Sequence, residues 1–232
     1  MKLISVCIPT YEMENLGHIY LQQSLNILVD QTFKDFEVII SDHSKNNSLE
    51  ILCQEYAEKL DIHYYKNNEG FGSSSANINN AIRKARGKLI KILFQDDFLL
   101  SENSLQEIVD NFDIEKDGWL VTACEHTTDG IHFTRPFYPS YNKRIYRGKN
   151  TISSPSVVTI KNESPLLFDE QLLWLMDVDY YYRCYLRYGL PKILNTINVV
   201  NRIGPYQVST SLVSLWRKIK ERIYVMRKYK KI

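Results

Sequence analysis

The sequence predicts an α/β fold in three layers, with helices on both faces of a mostly parallel central sheet. Short apolar runs alternate with amphipathic stretches from Leu3 onward, the pattern of repeated strand-helix-strand units. The apolar runs also end in acids, with Glu12 after the first, Asp42 after the second and Asp96-Asp97 after the run that starts at Leu89, so candidate ligand groups share one rim of the sheet. A chain of 232 residues fits one large domain, or one domain with an appendage, and can bury a substantial core.

Leu3 to Ile8 reads as the first buried strand, halted by Pro9, with Pro9-Thr10-Tyr11-Glu12 as the loop at its carboxyl end. Leu16, Ile19, Tyr20, Leu25, Ile27 and Leu28 recur at helical spacing and return the chain for a second strand, Phe36 to Ser41, which ends at Asp42. Asn47 or Ser48 starts the next helix, running to about Lys59. A short strand at Ile62 to Tyr65 leads into a polar loop carrying Gly70 and Gly72, then a helix from about Ser74 to Ala85 that Gly87 closes. Leu89, Ile90, Ile92, Leu93 and Phe94 have the composition of a strand covered on both faces. Helix from Asn103 to Phe112, strand from Trp119 to Cys124 and strand from Ser156 to Ile160 follow. Residues 127–150, with Gly130, Pro136, Pro139 and a set of basic and tyrosine side chains, read as an irregular excursion between them. A helix then opens near Leu172 to Asp179 and closes at Gly189, and Ile197 to Ile203 is the last strand.

Composition is that of an ordinary globular protein, with no apolar run long enough to span a membrane and no signal peptide before Pro9, so a cytosolic location is expected. Cys7, Cys53, Cys124 and Cys184 lie far apart without Cys-x-x-Cys spacing, which speaks against a zinc site or a disulfide framework. Eight Lys or Arg against one Glu give residues 217–232 a charge of +7, so the total of +2 leaves −5 for residues 1–216. With positive charge confined to the tail, nucleic-acid binding is not expected.

Asp96 and Asp97 repel each other unless a cation or a set of donors compensates them. A hard divalent ion carrying phosphate oxygens is one compensator, since Mg2+ and Mn2+ bind through one or two carboxylates plus substrate phosphates. The alternative is a solvated turn in which one Asp caps the helix that follows. Asp42, acceptor-only when ionised, can take the imide N–H of uracil or cap a turn. Asp177 can act as a general base or as an acid stabilised by a helix N-terminus, with Asp179 sharing the second role.

Taken in order, these segments resemble the inverting nucleotide-sugar glycosyltransferases of family 2, which have the GT-A fold with a nucleotide-binding, Rossmann-like half. The likeness covers about residues 3–210. Ser5 to Glu12 is similar to the family's opening strand and loop, Phe36 to Ser44 to its second strand with an Asp that contacts uracil, and Ala76 to Ala81 with Ala85 to Ile90 to the helix and glycine before the metal motif. Gln95-Asp96-Asp97 occupies the metal-motif position, and Phe168-Asp169-Glu170 with Met176 to Asp179 and Arg183 resembles the acceptor-side segment that carries the base. The resemblance implies a UDP-sugar donor, Mn2+ or Mg2+, and a glycan or lipid-linked acceptor. It implies donor contacts from Pro9, Thr10, Tyr11, Glu12, Asp42, Asn77 and Asp96, metal held by Asp97 with Asp96, and Asp177 as the base.

Phe94 stands where many members have a first Asp, Met176 where an acid often precedes the base, and Gly204 near a position often held by His. No Gln-x-x-Arg-Trp motif follows, so transfer of a single sugar is expected rather than processive synthesis. Alternatives are a catalytically inactive nucleotide- or glycan-binding relative and a sugar nucleotidyltransferase; the latter wants a Gly-rich phosphate loop that Pro9-Thr10-Tyr11-Glu12 lacks.

The sequence divides into residues 1–210, the catalytic domain, and residues 211–232, a basic amphipathic helix. Leu215, Trp216, Ile219, Ile223, Met226 and Ile232 share an apolar stripe with Lys and Arg mostly outside it. Such a helix can lie in an anionic membrane surface; the stripe can equally cover the domain or the partner of a homodimer. On the first reading the tail is dispensable for donor chemistry.

Overall fold

The computed structural model describes residues 2–204 and 213–230. Among them, nine strands form one mixed sheet in the order β3-β2-β1-β4-β8-β6-β9-β5, with β7 paired to β6. The strands are β1 (Ile4–Thr10), β2 (Phe36–Asp42), β3 (Ile62–Lys66), β4 (Leu89–Ile92), β5 (Phe98–Leu99), β6 (Trp119–Thr127), β7 (Phe133–Phe137), β8 (Val158–Lys161) and β9 (Lys192–Arg202). The helices are α1 (Gly17–Val29), α2 (Ser48–Glu55), α3 (Ser74–Lys84), α4 (Ser104–Asn111), α5 (Met176–Tyr188) and α6 (Leu215–Lys228).

The first half, β3-β2-β1-β4, is wholly parallel, as its strand-helix alternation requires. The chain steps outward from β1 through β2 to β3, then jumps back across β1 to β4. Right-handed crossovers therefore put α1 and α2 on one face and α3 on the other, and the order reverses at the β1/β4 junction. Burial follows: β1, β2 and β4 are buried along their whole length, and Leu21, Leu25 and Leu28 of α1 and Ile78 and Ala81 of α3 are fully covered. Each such large side chain removed from water contributes about 1.5–3 kcal/mol. Pro9 fits inside β1 because pairing with β4 stops at Cys7 and Ile92, so its missing N–H costs no ladder bond.

The second half mixes directions. β8 is antiparallel to β4 and β6, β9 runs parallel to β6, and β5 adds antiparallel to β9. Residues 127–150 are less irregular than expected. β7 pairs antiparallel with β6, a 3-10 turn covers Ile145–Arg147, and Ile145 is buried. The tyrosines of α5 pack inward: Tyr180 and Tyr181 are fully buried, Phe168 stacks on Tyr180 at 3.9 Å between ring centroids, and Tyr182 meets Tyr146 at 4.7 Å. Tyr180, Tyr181 and Tyr182 belong to the core. All four cysteines are buried and unpaired, and burial pushes their thiols up, to about 11 for Cys124 and about 12 for Cys53 and Cys184.

Candidate active site

A cavity of about 920 Å³ opens where the strand order reverses, beyond the carboxyl ends of β1 and β4. One wall is the loop after β1. The Tyr11 N–H donates to Gln95 Oε1 at 2.9 Å and Gln95 Nε2 donates to the Gly17 carbonyl at 2.7 Å, so Gln95 ties the β1 loop to the start of α1. Gly17 is required there, because a Cβ would lie 2.3 Å from the Tyr11 carbonyl oxygen. Pro9, Tyr11 and Glu12 line this wall.

The floor carries the acid pair. Asp97, 5 % exposed, accepts the Arg202 backbone N–H at 3.0 Å, and the Ser154 hydroxyl lies 3.1 Å from its other oxygen. Burial pushes both carboxyls up, and for Asp96 the adjacent Asp97 adds to it. Beneath them lies Lys91, fully buried on β4, its ammonium donating to the Ser156 carbonyl. Burial pushes that ammonium down to about 7, while the nearby Asp97 pulls the other way. Arg202, 4 % exposed, donates through Nε to the Asp96 carbonyl at 3.3 Å, and its guanidinium stacks 4.3 Å from the Tyr20 ring centroid.

The opposite wall belongs to the second half of the sheet and to α5. Asp177 lines the cavity in the first turn of α5. It accepts Asn150 Nδ2 at 2.6 Å and the Val178 N–H at 2.7 Å, and burial, outweighing these bonds, pushes it up to about 6. Asp179, two residues on, is fully buried and faces away, bonded to Arg183 Nε at 2.8 Å, Lys228 Nζ at 2.8 Å and the Tyr229 hydroxyl at 2.6 Å. The two acids of this turn thus divide the alternatives, Asp177 to the cavity and Asp179 to structure. Leu173 and Trp174 complete the wall. Their backbone N–H groups and that of Leu175 all donate to the Glu221 carboxylate of α6, at 3.0, 2.8 and 2.9 Å.

Two of the residues expected to contact the donor lie outside the cavity lining. Asp42 and Thr10 are fully buried and do not line the cavity. Asp42 already takes hydrogen bonds from the Ser44 N–H and hydroxyl at 2.9 and 2.6 Å, from the Tyr64 hydroxyl at 2.6 Å and from Lys66 Nζ at 3.4 Å, and the Thr10 hydroxyl lies 3.2 Å from it. It anchors the rim where β1, β2 and β3 end. Asn77 does reach the cavity, yet its amide is engaged: Oδ1 accepts the Ser41 hydroxyl at 2.7 Å and Nδ2 donates to the Thr10 carbonyl at 2.9 Å. What the rim offers a ligand there is Phe71, 58 % exposed between Gly70 (φ 62) and Gly72 (φ 81), with the His43 ring 5.6 Å and Lys45 Nζ 5.8 Å from its centroid. The two positive φ angles are the region glycine adopts without strain, which lets the loop project an aromatic ring.

Among the described residues no cluster of three or more His, Cys, Asp or Glu forms a ready metal cage. The acid pair nevertheless fits a divalent ion of the kind that completes its shell with phosphate oxygens, because two adjacent carboxyls, Asp97 buried and Asp96 partly so, both with raised pKa values, are stabilised as anions by such a charge.

A cavity at the switch point of an α/β sheet, with an acid pair on the floor and a half-buried Asp177 on the far wall, is where an enzyme of this fold class holds its ligand. Residues 5–182 match the model of glycosyl transferase family 2, and the chain belongs to that family. An uncharacterised glycosyltransferase of Methanocaldococcus jannaschii, MJ1057, is 30 % identical over 190 residues, which cover 78 % of this chain and 64 % of the relative. Staphylococcus aureus TarS (residues 1–349), solved with UDP-GlcNAc, superposes with a TM-score of 0.73 at 19 % identity over 97 % of this chain and 65 % of that one. A mannosyltransferase of Pyrobaculum calidifontis solved with GDP-Man and Mn2+ gives 0.66 at 14 % identity over 100 % of this chain and 65 % of that one. The chain therefore spans about two thirds of the length of each.

Proposed function

We propose that this glycosyltransferase moves one sugar from a UDP-sugar to a hydroxyl of a glycan or lipid-linked acceptor, with inversion at the anomeric carbon. The observation that carries the reading is that one cavity holds Asp97 and Asp96 on its floor and Asp177 on its far wall. The nucleotide lies along the β1 loop and against Phe71, its diphosphate toward the acid pair and Arg202. A Mn2+ or Mg2+ held by Asp97 and Asp96 would offset the charge developing on the departing diphosphate. Asp177 takes the proton of the attacking hydroxyl on the side opposite the leaving group, and a base titrating near 6 is ionised at neutral pH yet basic enough for the task. Asn150 holds that carboxylate in place. The unit proposed to do this is residues 1–210, with 211–232 as an appended helix, in a cytoplasmic setting.

UDP release from a panel of UDP-sugars, with GDP-Man as the control and with or without Mn2+, tests the reading. Metal-dependent release that Asp97→Asn abolishes is the expected result, since an amide cannot neutralise the cation. Full activity of that variant ends the metal assignment, and release from GDP-Man alone ends the assignment of UDP.

A further inference from the structure

Helix α6 carries two different surfaces. Its inner side is anchored by buried Glu221, Val225 and Tyr229, and by Lys228, which donates to Asp169 and Asp179 at 2.7 and 2.8 Å. Its outer side leaves Leu215, Trp216, Ile219, Ile223 and Met226 between 40 and 75 % exposed. At 3.6 residues per turn the stripe through Leu215, Ile219, Ile223 and Met226, with Trp216 beside it, is bordered by Lys218 and Arg222 along one edge and by Lys220 and Arg227 along the other. The helix has one acid, Glu221, and that acid points inward. The apolar stripe expected from the sequence exists, but it is not the face that packs on the domain. Ile232, the last residue assigned to it, lies outside the described residues.

The stripe also has a definite place relative to the cavity. Lys218 Nζ and Arg222 Cζ lie 5.5 and 5.2 Å from the centroid of the Trp174 ring, which lines the wall that bears Asp177. We propose that the outer face of α6 docks the protein on an anionic lipid bilayer, which sets the Asp177 side of the cavity beside the membrane surface. An exposed apolar stripe with cations on both borders and no outward acid is the pattern of a helix lying in the headgroup region, where apolar side chains enter the acyl boundary and Lys and Arg meet lipid phosphates. A second copy fits this face less well, because a two-fold contact through it would set these cations against their own images. The docking stands apart from the chemistry; only its consequence, delivery of a lipid-linked acceptor to Asp177, rests on the transferase reading. No helix among the described residues is long and apolar enough to cross a membrane, so a docked face and not a span is what α6 supplies.

The test is co-sedimentation of the full chain with phosphatidylcholine vesicles and with vesicles containing phosphatidylglycerol in equal part. Binding only to the anionic vesicles, and release as salt is raised, is expected. Trp216→Ser/Ile223→Ser and Lys220→Glu/Arg227→Glu should each weaken binding about tenfold or more, with thermal unfolding and UDP release in solution unchanged. The two pairs share no residue, so misfolding of one leaves the other decisive. Absence of binding by the native chain, equal binding by both variants, or a dimer in light scattering that Trp216→Ser/Ile223→Ser dissociates would overturn the proposal, the last in favour of a second copy. Vesicle binding without UDP release from any donor would sink the transferase reading and leave the docking face standing.

Discussion

Asp177 and Asp179 are chemically identical and occupy the same helical turn, yet their surroundings are opposite in kind. Asp179 is neutralised by Arg183 and Lys228, whereas Asp177 has only amide donors and a burial that pushes it up to about 6. With Asp177 as the proposed base, which must be ionised to take a proton, kcat should fall as pH drops through about 6, about tenfold per unit below it, and stay level above. Asp177→Asn should abolish that acid limb and lower kcat by about 10² to 10⁴ while KM for the donor stays near its native value. An equal loss in donor affinity would make Asp177 a structural residue. Its candidacy was legible from a helix start rich in acids together with the family pattern. Lys91 was not: in sequence it is one polar letter in an apolar strand, and its meaning comes from Ser156 and Asp97, which meet it only in the fold. The same holds for Asp42, whose donors Tyr64, Ser44 and Lys66 come from the neighbouring strand and loop and bury it at the rim.

At the scale of elements, α6 is a brace as well as a surface. Glu221 receives three consecutive N–H groups just ahead of α5, donors that no helical carbonyl reaches. Truncation of the tail would strand these donors and leave buried Asp179 without Lys228 and Tyr229, so its removal should disturb the fold around Asp177 and, with it, donor chemistry. Glu221→Ala should cost on the order of 2–4 kcal/mol in urea unfolding, since buried donors would lose a charged acceptor. It should also lower kcat, because the segment it holds leads directly into Asp177. A folded Glu221→Ala protein with native kcat would show that the brace and the base are independent. The long apolar strands were readable because burial on both faces dictates their composition. β5, with two residues, and β7, with Arg135 and Pro136 inside it, carry no such signature and are strands only because β9 and β6 offer edges to them. β9 begins earlier than expected, at Lys192, since Lys192, Ile193 and Leu194 pair with β6 while the start of the strand remains largely exposed.

Over the whole molecule, β8 joins the parallel half to the mixed half, so both walls of the cavity belong to one continuous sheet. A donor bridging the floor should then stabilise the chain as a unit. With UDP and Mn2+ at about a hundredfold excess over Kd the gain is about 2.7 kcal/mol, which for a chain of this size corresponds to a rise in Tm of roughly 5–10 °C in a single transition. Asp97→Asn should remove most of that rise. A split transition, with only one half shifted, would mean that the halves unfold separately. That the first half is parallel and that its strand ends share one rim was legible from alternation, whereas the strand order and its reversal between β1 and β4 come from the fold. The far wall was not legible either, because Asn150, Ser154, Trp174 and Glu221 are gathered from loops and a distant helix.

The four buried thiols have a practical consequence. A thiol that is both covered and held protonated is neither nucleophilic nor reachable, so the folded chain offers maleimide reagents almost nothing to attack. A single cysteine placed on the outer edge of α6, at Lys220 for example, would then be the sole site of labelling. An environment-sensitive dye attached there would report by its colour and intensity whether that edge of the helix sits in water or against a lipid headgroup.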